Sequence, residues 1–173
     1  MTKRAMIDIE TLGTEPGAAI LSIGACYFDV NGSIGRTLYA EIDSSTCFDA
    51  GLTSDDETVE WWAEKDAELA PIDGTTHLDD ALALLADFVE EGDEIWANSP
   101  KFDLSILEAA YDAVDRPVPW DFWQARDVRT IRALPNAVSM DMDGCEHDAF
   151  DDARHQAEEV AATIAACGGE ADE

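Results

Sequence analysis

Residues 6–29 read MIDIETLGTEPGAAILSIGACYFD, and the opening MIDIETLG decides how the chain folds. Residues 5–10 have the period of a β-strand, placing Met6, Asp8 and Glu10 on one face and Ile7 and Ile9 on the other. Residues 13–17, with glycine at both ends, form a turn. Residues 19–29 are apolar and partly β-branched, Asn31-Gly32 is a hairpin signal, and residues 37–42 can return as a third strand. The expectation is an antiparallel meander.

Acids inside an apolar strand require a reason, because an unpaired buried carboxylate is costly. In a chain with 39 acidic residues a D-x-E pair alone carries little weight, and its setting is what singles it out. Carboxylates two residues apart on a strand project to the same side, and the glycine-containing turn leaves that side open. Such a pair suits a hard cation, Mg²⁺ or Mn²⁺. Two such ions, about 3.5 to 4 Å apart, can serve both the attacking and the leaving oxygen of a displacement at phosphorus. Two ions need more than two carboxylates.

Further along, residues 58–65 (TVEWWAEK) read as a short helix, with Trp61 and Trp62 as packing residues in preference to a base-stacking platform. Thr76 can cap a helix carrying Leu78, Leu82, Leu85 and Phe88 or Val89 at helical spacing, ended by Gly92. Residues 94–98 form a short strand and residues 103–112 a helix, so Asp103 sits at a strand-to-helix junction. Pro117 and Pro119 break the chain, residues 127–134 are helical, and a loop over 135–147 leads into a final helix ending near Gly168. This order predicts an α/β fold, a mixed sheet covered by helices, in one domain over 1–173.

The charge balance is extreme, with 39 acidic residues against 10 basic and a net charge of -29. The acids fall in many short groups and not in one block, so a salt-rich cytoplasm, that of a halophile or of a cell infected by its virus, is the expected setting. Cysteines at 26, 47, 145 and 167 form no CxxC pair or regular framework, which fits a reducing interior. No apolar run approaches the roughly 18 residues of a membrane span, and no signal-like stretch follows residues 1–4. The expectation is a cytoplasmic protein with no membrane contact.

MIDIETLGTEPGAAILSIGACYFD resembles the first exonuclease motif and following hairpin of the DEDDh, or DnaQ-like, superfamily of 3′→5′ exonucleases. The likeness continues in order through TVEWW at 58–62, WANSPKFDLSIL at 96–107, PWDFWQARDVRTI at 119–131 and HDAFDDARHQA at 147–157. It implies a ribonuclease H-like fold and two divalent cations held by Asp8, Glu10, Asp103 and Asp152. His147, five residues before Asp152, is implied to be the general base, a role suited to imidazole near neutral pH. Asp151 and His155 are the competing choices in that segment. The implied substrate is a nucleic acid with a free 3′ end, single-stranded, cleaved to nucleoside monophosphates; no protein partner is indicated.

By the same likeness Thr11 and Leu12 contact the terminal nucleotide, with an ordinary turn as the other reading. Asn98, Ser99 and Lys101 lie in a loop just before Asp103, where polar groups can meet phosphate or sugar. Arg126 and Arg129, two of few basic residues, can bind the scissile strand or form structural salt bridges. Two other function classes remain: a catalytically silent nucleic-acid or replication-partner binding domain, and a calcium or zinc binder built on DMDGCEHD at 141–148.

Overall fold

The computed structural model describes residues 2–65 and 74–168. The meander forms as β1 (Arg4–Thr11), β2 (Ile20–Phe28) and β3 (Ile34–Glu41), joined antiparallel in the order β3-β2-β1. Beyond β1 the sheet turns parallel, adding β4 (Glu94–Ala97) and β5 (Ala125–Asp127). The result is a mixed sheet in the order β3-β2-β1-β4-β5 with β1 at its centre.

The alternation of β1 separates two cores. Ala5, Ile7 and Ile9 face one side, packed with the apolar residues of α3 (Leu78–Val89) and α4 (Asp103–Ala113). Met6 faces the other side, with Cys26, Trp96, Val128 from α5 (Val128–Arg132) and Ala153, Ala157 and Val160 from α6 (Ala149–Ala166). Asp8 and Glu10 follow the parity of Met6 and therefore meet α6.

Helix α6 reaches the sheet closely because of what it lacks. Ala149, Ala153, Ala157 and Ala161 recur every fourth residue on its buried face. Opposite them Gly24 of β2, the cross-strand partner of Asp8, has no side chain; a Cβ there would lie 2.2 Å from the carbonyl carbon of Ala149. Large side chains at either surface would lift α6 away from β1.

Several elements depart from the sequence reading. The polar stretch after β3 contains α1 (Ser44–Asp49), capped by Asp43, whose carboxylate accepts from Ser45 N–H. Thr76 does not cap α3: it bridges to Ile42, and His77 takes the cap, its Nδ1 accepting from Asp79 N–H at 3.2 Å. The helix expected over 127–134 is α5, only five residues, preceded by the unforeseen β5. Asp127 terminates β5 and caps α5, accepting from Arg129 N–H at 3.0 Å. Helix α2 (Asp56–Glu64) begins two residues early because Asp55 caps it, accepting from Thr58 N–H at 2.7 Å.

Replacing Gly24 by alanine is expected to destabilise the protein by roughly 1–3 kcal/mol through overpacking against α6. Chemical denaturation of the two proteins in matched salt measures this, and an unchanged midpoint would contradict the close packing described.

Candidate active site

The acids of β1 end in a local irregularity. Register with β2 shifts between Glu10 and Thr11, a bulge that re-aims the strand end. The end is then tied to α2: Trp62 Nε1 donates to the Thr11 carbonyl at 2.9 Å, and Asp55 N–H donates to the Leu12 carbonyl at 2.8 Å. Thr11 is buried, with its hydroxyl on the Gly13 carbonyl, and Leu12 packs partly buried against the main core.

Four carboxylates converge on this end of the sheet. Asp103, the first residue of α4, is 2% exposed, and its Oδ2 has no hydrogen-bond partner. Asp8 is buried beside it, with Gln156 Nε2 of α6 donating to Oδ1 at 2.8 Å. Glu10, Asp152 and His147 each bring one ligand atom to within 4.8 Å of the others. Among the described residues this is the one such cluster, and the acids of 141–148 form none of their own.

Burial, then Asp103 and Glu10, push the Asp8 carboxyl well above the ordinary carboxylate range, against the Gln156 hydrogen bond. Glu10 rises to about 8, through burial first and then the charges of Asp152 and Asp103. Asp103 rises to about 7 by burial, opposed by the backbone N–H groups of Asp103 and Ile9 and by the positive charge of Arg129. Burial also raises Asp152, opposed by its hydrogen bond from the His147 backbone. A buried all-oxygen cluster with an orphaned carboxylate oxygen fits divalent cations, which remove the repulsion that protons otherwise relieve.

His147 is held from both sides. Its backbone has φ 67, in the left-handed region, and its N–H donates to Asp152 Oδ2 at 2.9 Å. Its ring meets Trp61 edge-on, centroids 4.8 Å apart, while Lys65 Nζ stands 4.5 Å from the Trp61 ring centre. Asp151 points elsewhere, accepting from Cys145 N–H at 2.9 Å and pairing with Arg154. His155 lies 3.6 Å from Glu159, outside the cluster.

The remaining sequence candidates divide. Arg129 acts on Asp103, and Asn98 accepts from Arg132 Nη1 at 3.2 Å beside the cluster. Arg126 is not brought to the carboxylates: it pairs with Glu94 at the opposite, N-terminal end of β4 and donates to the Trp123 carbonyl. Lys101 is exposed and lines neither cavity beside the site.

Two cavities flank the cluster. One, of about 710 Å³, has Glu10, Thr11, Trp61, Trp62 and Phe102 in its wall; the other, of about 400 Å³, has Asn98, Arg132, His147, Asp152, His155 and Gln156. Both tryptophans line the larger cavity: Trp62 is buried, with its indole N–H on the Thr11 carbonyl, whereas Trp61 is 38% exposed. Gln156 and Arg132 escaped the sequence reading. A polar residue one turn beyond Asp152 on an otherwise alanine-lined face was the available signal for Gln156.

A mixed sheet with helices on both faces and carboxylates gathered at the end of its central strand defines a ribonuclease H-like nuclease. The fold is similar to the nuclease domain of 3′hExo, a DEDDh family member bound to rAMP, with TM-score 0.66 and 12% identity over 98% of this chain and 94% of that one. It also resembles E. coli Exonuclease I in complex with an oligonucleotide, with TM-score 0.55 and 15% identity over 96% of this chain and 40% of that one. An exodeoxyribonuclease of Enterobacteria phage T4 is 25% identical over 160 residues, covering 75% of this chain and 70% of the relative. The model of the 3′-5′ exoribonuclease Rv2179c-like domain matches residues 3–164, and the chain belongs to that family. It is a metal-dependent 3′→5′ exonuclease that binds nucleic acid.

The raised carboxyls set the pH response of the metal-free protein. A folded-state pKa above the unfolded value means stability present at low pH and lost as pH rises, here through about 7 for Asp103 and about 8 for Glu10. In EDTA and constant KCl, Tm is expected to fall by roughly 5 °C as pH rises from about 5 to about 8, with little further fall above that. Asp103→Asn should flatten that fall and added Mn²⁺ should reverse it. A Tm that rises with pH would show that the carboxylates are not packed as described.

Proposed function

We propose that the protein removes nucleoside 5′-monophosphates one at a time from single-stranded nucleic acid by a two-cation mechanism. The observation that carries this reading is the convergence of Asp8, Glu10, Asp103 and Asp152 beside His147. Two Mg²⁺ or Mn²⁺ ions held by these carboxylates would supply positive charge at the phosphate, the attacking water and the leaving oxygen. His147 accepts the proton of the attacking water. The water oxygen bonds to phosphorus, the bond from phosphorus to the 3′-oxygen of the preceding nucleotide breaks, and that oxygen takes a proton from solvent.

His147 suits this role because its backbone bond to Asp152 and its contact with Trp61 fix the ring beside the acids. Thr11 and Leu12 frame the terminal nucleoside, whose base enters the cavity walled by Trp61, Trp62 and Phe102. An unpaired base can lay its face on such a wall and a paired one cannot, which favours a single strand. Asn98 and Arg129 are the nearer candidates for the strand, Lys101 lies outside both cavity walls, and Arg126 is assigned the structural pairing already described.

The 39 acids and net charge of -29 support a salt-rich cytoplasm as the working environment, where screening shortens repulsion between enzyme and strand. No helix among the described residues is long and apolar enough to cross a membrane. The relatives' names include both an exoribonuclease and an exodeoxyribonuclease, so both polymers belong in the test.

Purified protein in high KCl with 5′-labelled RNA and DNA oligonucleotides and Mn²⁺ is expected to produce a ladder shortening from the 3′ end, abolished by EDTA. Asp8→Ala should lose both turnover and cation binding. His147→Ala should lose about 10²–10⁴-fold in turnover while calorimetry still detects the cation. Intact oligonucleotides with the unaltered protein would instead indicate the silent binding domain, and highest activity in low salt would refute salt adaptation.

A further inference from the structure

Beside its alanine face, α6 carries a polar stripe. Asp152, Gln156, Glu159 and Thr163 recur at helical spacing, and the last three are buried. Three of the four hold the backbone of the segment that leads into the helix. Val138 N–H donates to Thr163 Oγ1 at 2.9 Å, Met140 N–H to Glu159 Oε1 at 3.1 Å, and His147 N–H to Asp152 Oδ2 at 2.9 Å. The segment therefore runs antiparallel to α6 and is laced to it from Thr163 down to Asp152. Residues 135–147 belong to no helix or strand, so their course, and the position of His147 at their end, depends on side chains such as these.

Glu159 is 4% exposed, and a carboxylate so buried requires a reason. Arg132 supplies part of it. Its Nε and Nη2 both go to Oε2, at 2.8 and 2.6 Å, instead of dividing between the two oxygens, and Oε1 is left to the Met140 N–H. One carboxylate thus joins α5, α6 and the loop between them. Glu159 itself lies outside the carboxylate cluster and in neither cavity wall, so it has no direct access to cations or strand. We propose that Glu159 is a positioning residue for the hydrolysis: through the Met140 N–H it sets the course of the loop that delivers His147, and it acts on turnover through that histidine. The role given to His147 above is the premise. A small displacement of a reacting group is enough to slow a reaction severely, and a loop released at Met140 leaves the His147 ring less firmly aimed.

Two double variants separate this role from simple pairing with Arg132. Arg132→Gln/Glu159→Gln removes both charges and keeps an acceptor for the Met140 N–H. Arg132→Met/Glu159→Leu removes the same charges and fills the space with apolar groups, an exchange that folds commonly tolerate, but leaves that N–H without an acceptor. On a 5′-labelled oligonucleotide with Mn²⁺ in high KCl, the second is expected to show a kcat about tenfold below the first, with KM and Mn²⁺ affinity equal in the two. Amide hydrogen exchange over 138–147 should be faster in the second. In a His147→Ala background the two pairs should hydrolyse at one residual rate, because the histidine through which Glu159 acts is gone. Thr163→Val, which keeps the shape of the side chain and removes the acceptor of Val138 N–H, should lower kcat in the same manner; if the apolar pair fails to fold, an unchanged kcat in this variant overturns the proposal. Equal kcat in the two double variants would overturn it directly, and a tenfold difference that survives the loss of His147 would make Glu159 a purely structural residue. Full activity of His147→Ala alone would instead overturn the assignment of the base, and the positioning role with it.

Discussion

The site depends on how closely α6 can approach the middle of the sheet. Gly24 on β2 and the alanine face of α6 allow backbone to approach backbone, and the polar residues that α6 turns towards β1 inherit their position from that contact. Asp152 is carried towards Glu10, and one turn later Gln156 is carried onto Asp8. A helix standing a side chain's width further out would leave the acids of β1 facing an apolar gap. The small residues of MIDIETLG's partner elements therefore matter to function as much as the acids themselves.

That contact forces together groups that repel one another. Burial raises the carboxyls of Asp8 and Glu10 first, and the neighbouring acids add to the effect. What opposes it is Gln156, the backbone N–H groups of Asp103, Ile9 and His147, and the charge of Arg129. The surrounding packing must therefore overdetermine the site. It does so through Trp62 on the Thr11 carbonyl, the bulge after Glu10 and the left-handed His147 tied to Asp152. Divalent cations would satisfy buried carboxylates held together in this way, so that metal dependence would follow from the fold.

How far this was legible in the sequence follows from the range of each interaction. The alternation in β1 is local, so the strand, its two-faced character and the acids' shared side could all be read from residues 5–10. Helix α3 was readable for the same reason, yet its cap was not, because Thr76 is drawn into a bridge with Ile42 by a distant pairing. Strand β5 has only three residues and exists because β4 offers it an edge, so no local pattern could announce it. Gln156 and Arg132 gain their roles across the interior, from Asp8 and Glu159, and Arg126 is drawn to Glu94 at the far end of β4 by the same kind of distant partner.

The placement of the few cations bears on how an acidic enzyme holds a polyanion. Lys3, Arg4, Arg116, Arg126 and Arg154 are engaged with carboxylates outside the Asp8–Glu10–Asp103–Asp152 cluster, and Arg36 lies over Tyr27 and Phe88. Arg129 and Arg132, both on the short α5, are brought towards the carboxylate cluster, and Lys65 stands over the Trp61 ring that meets His147. With so few phosphates neutralised by protein, few counterions are released on binding, and affinity gains little from low salt. On the proposed mode of binding, short-range contacts carry recognition: an aromatic wall for one base and divalent cations for the scissile phosphate. Unlike a diffuse positive surface, these contacts do not fade when salt screens long-range charge.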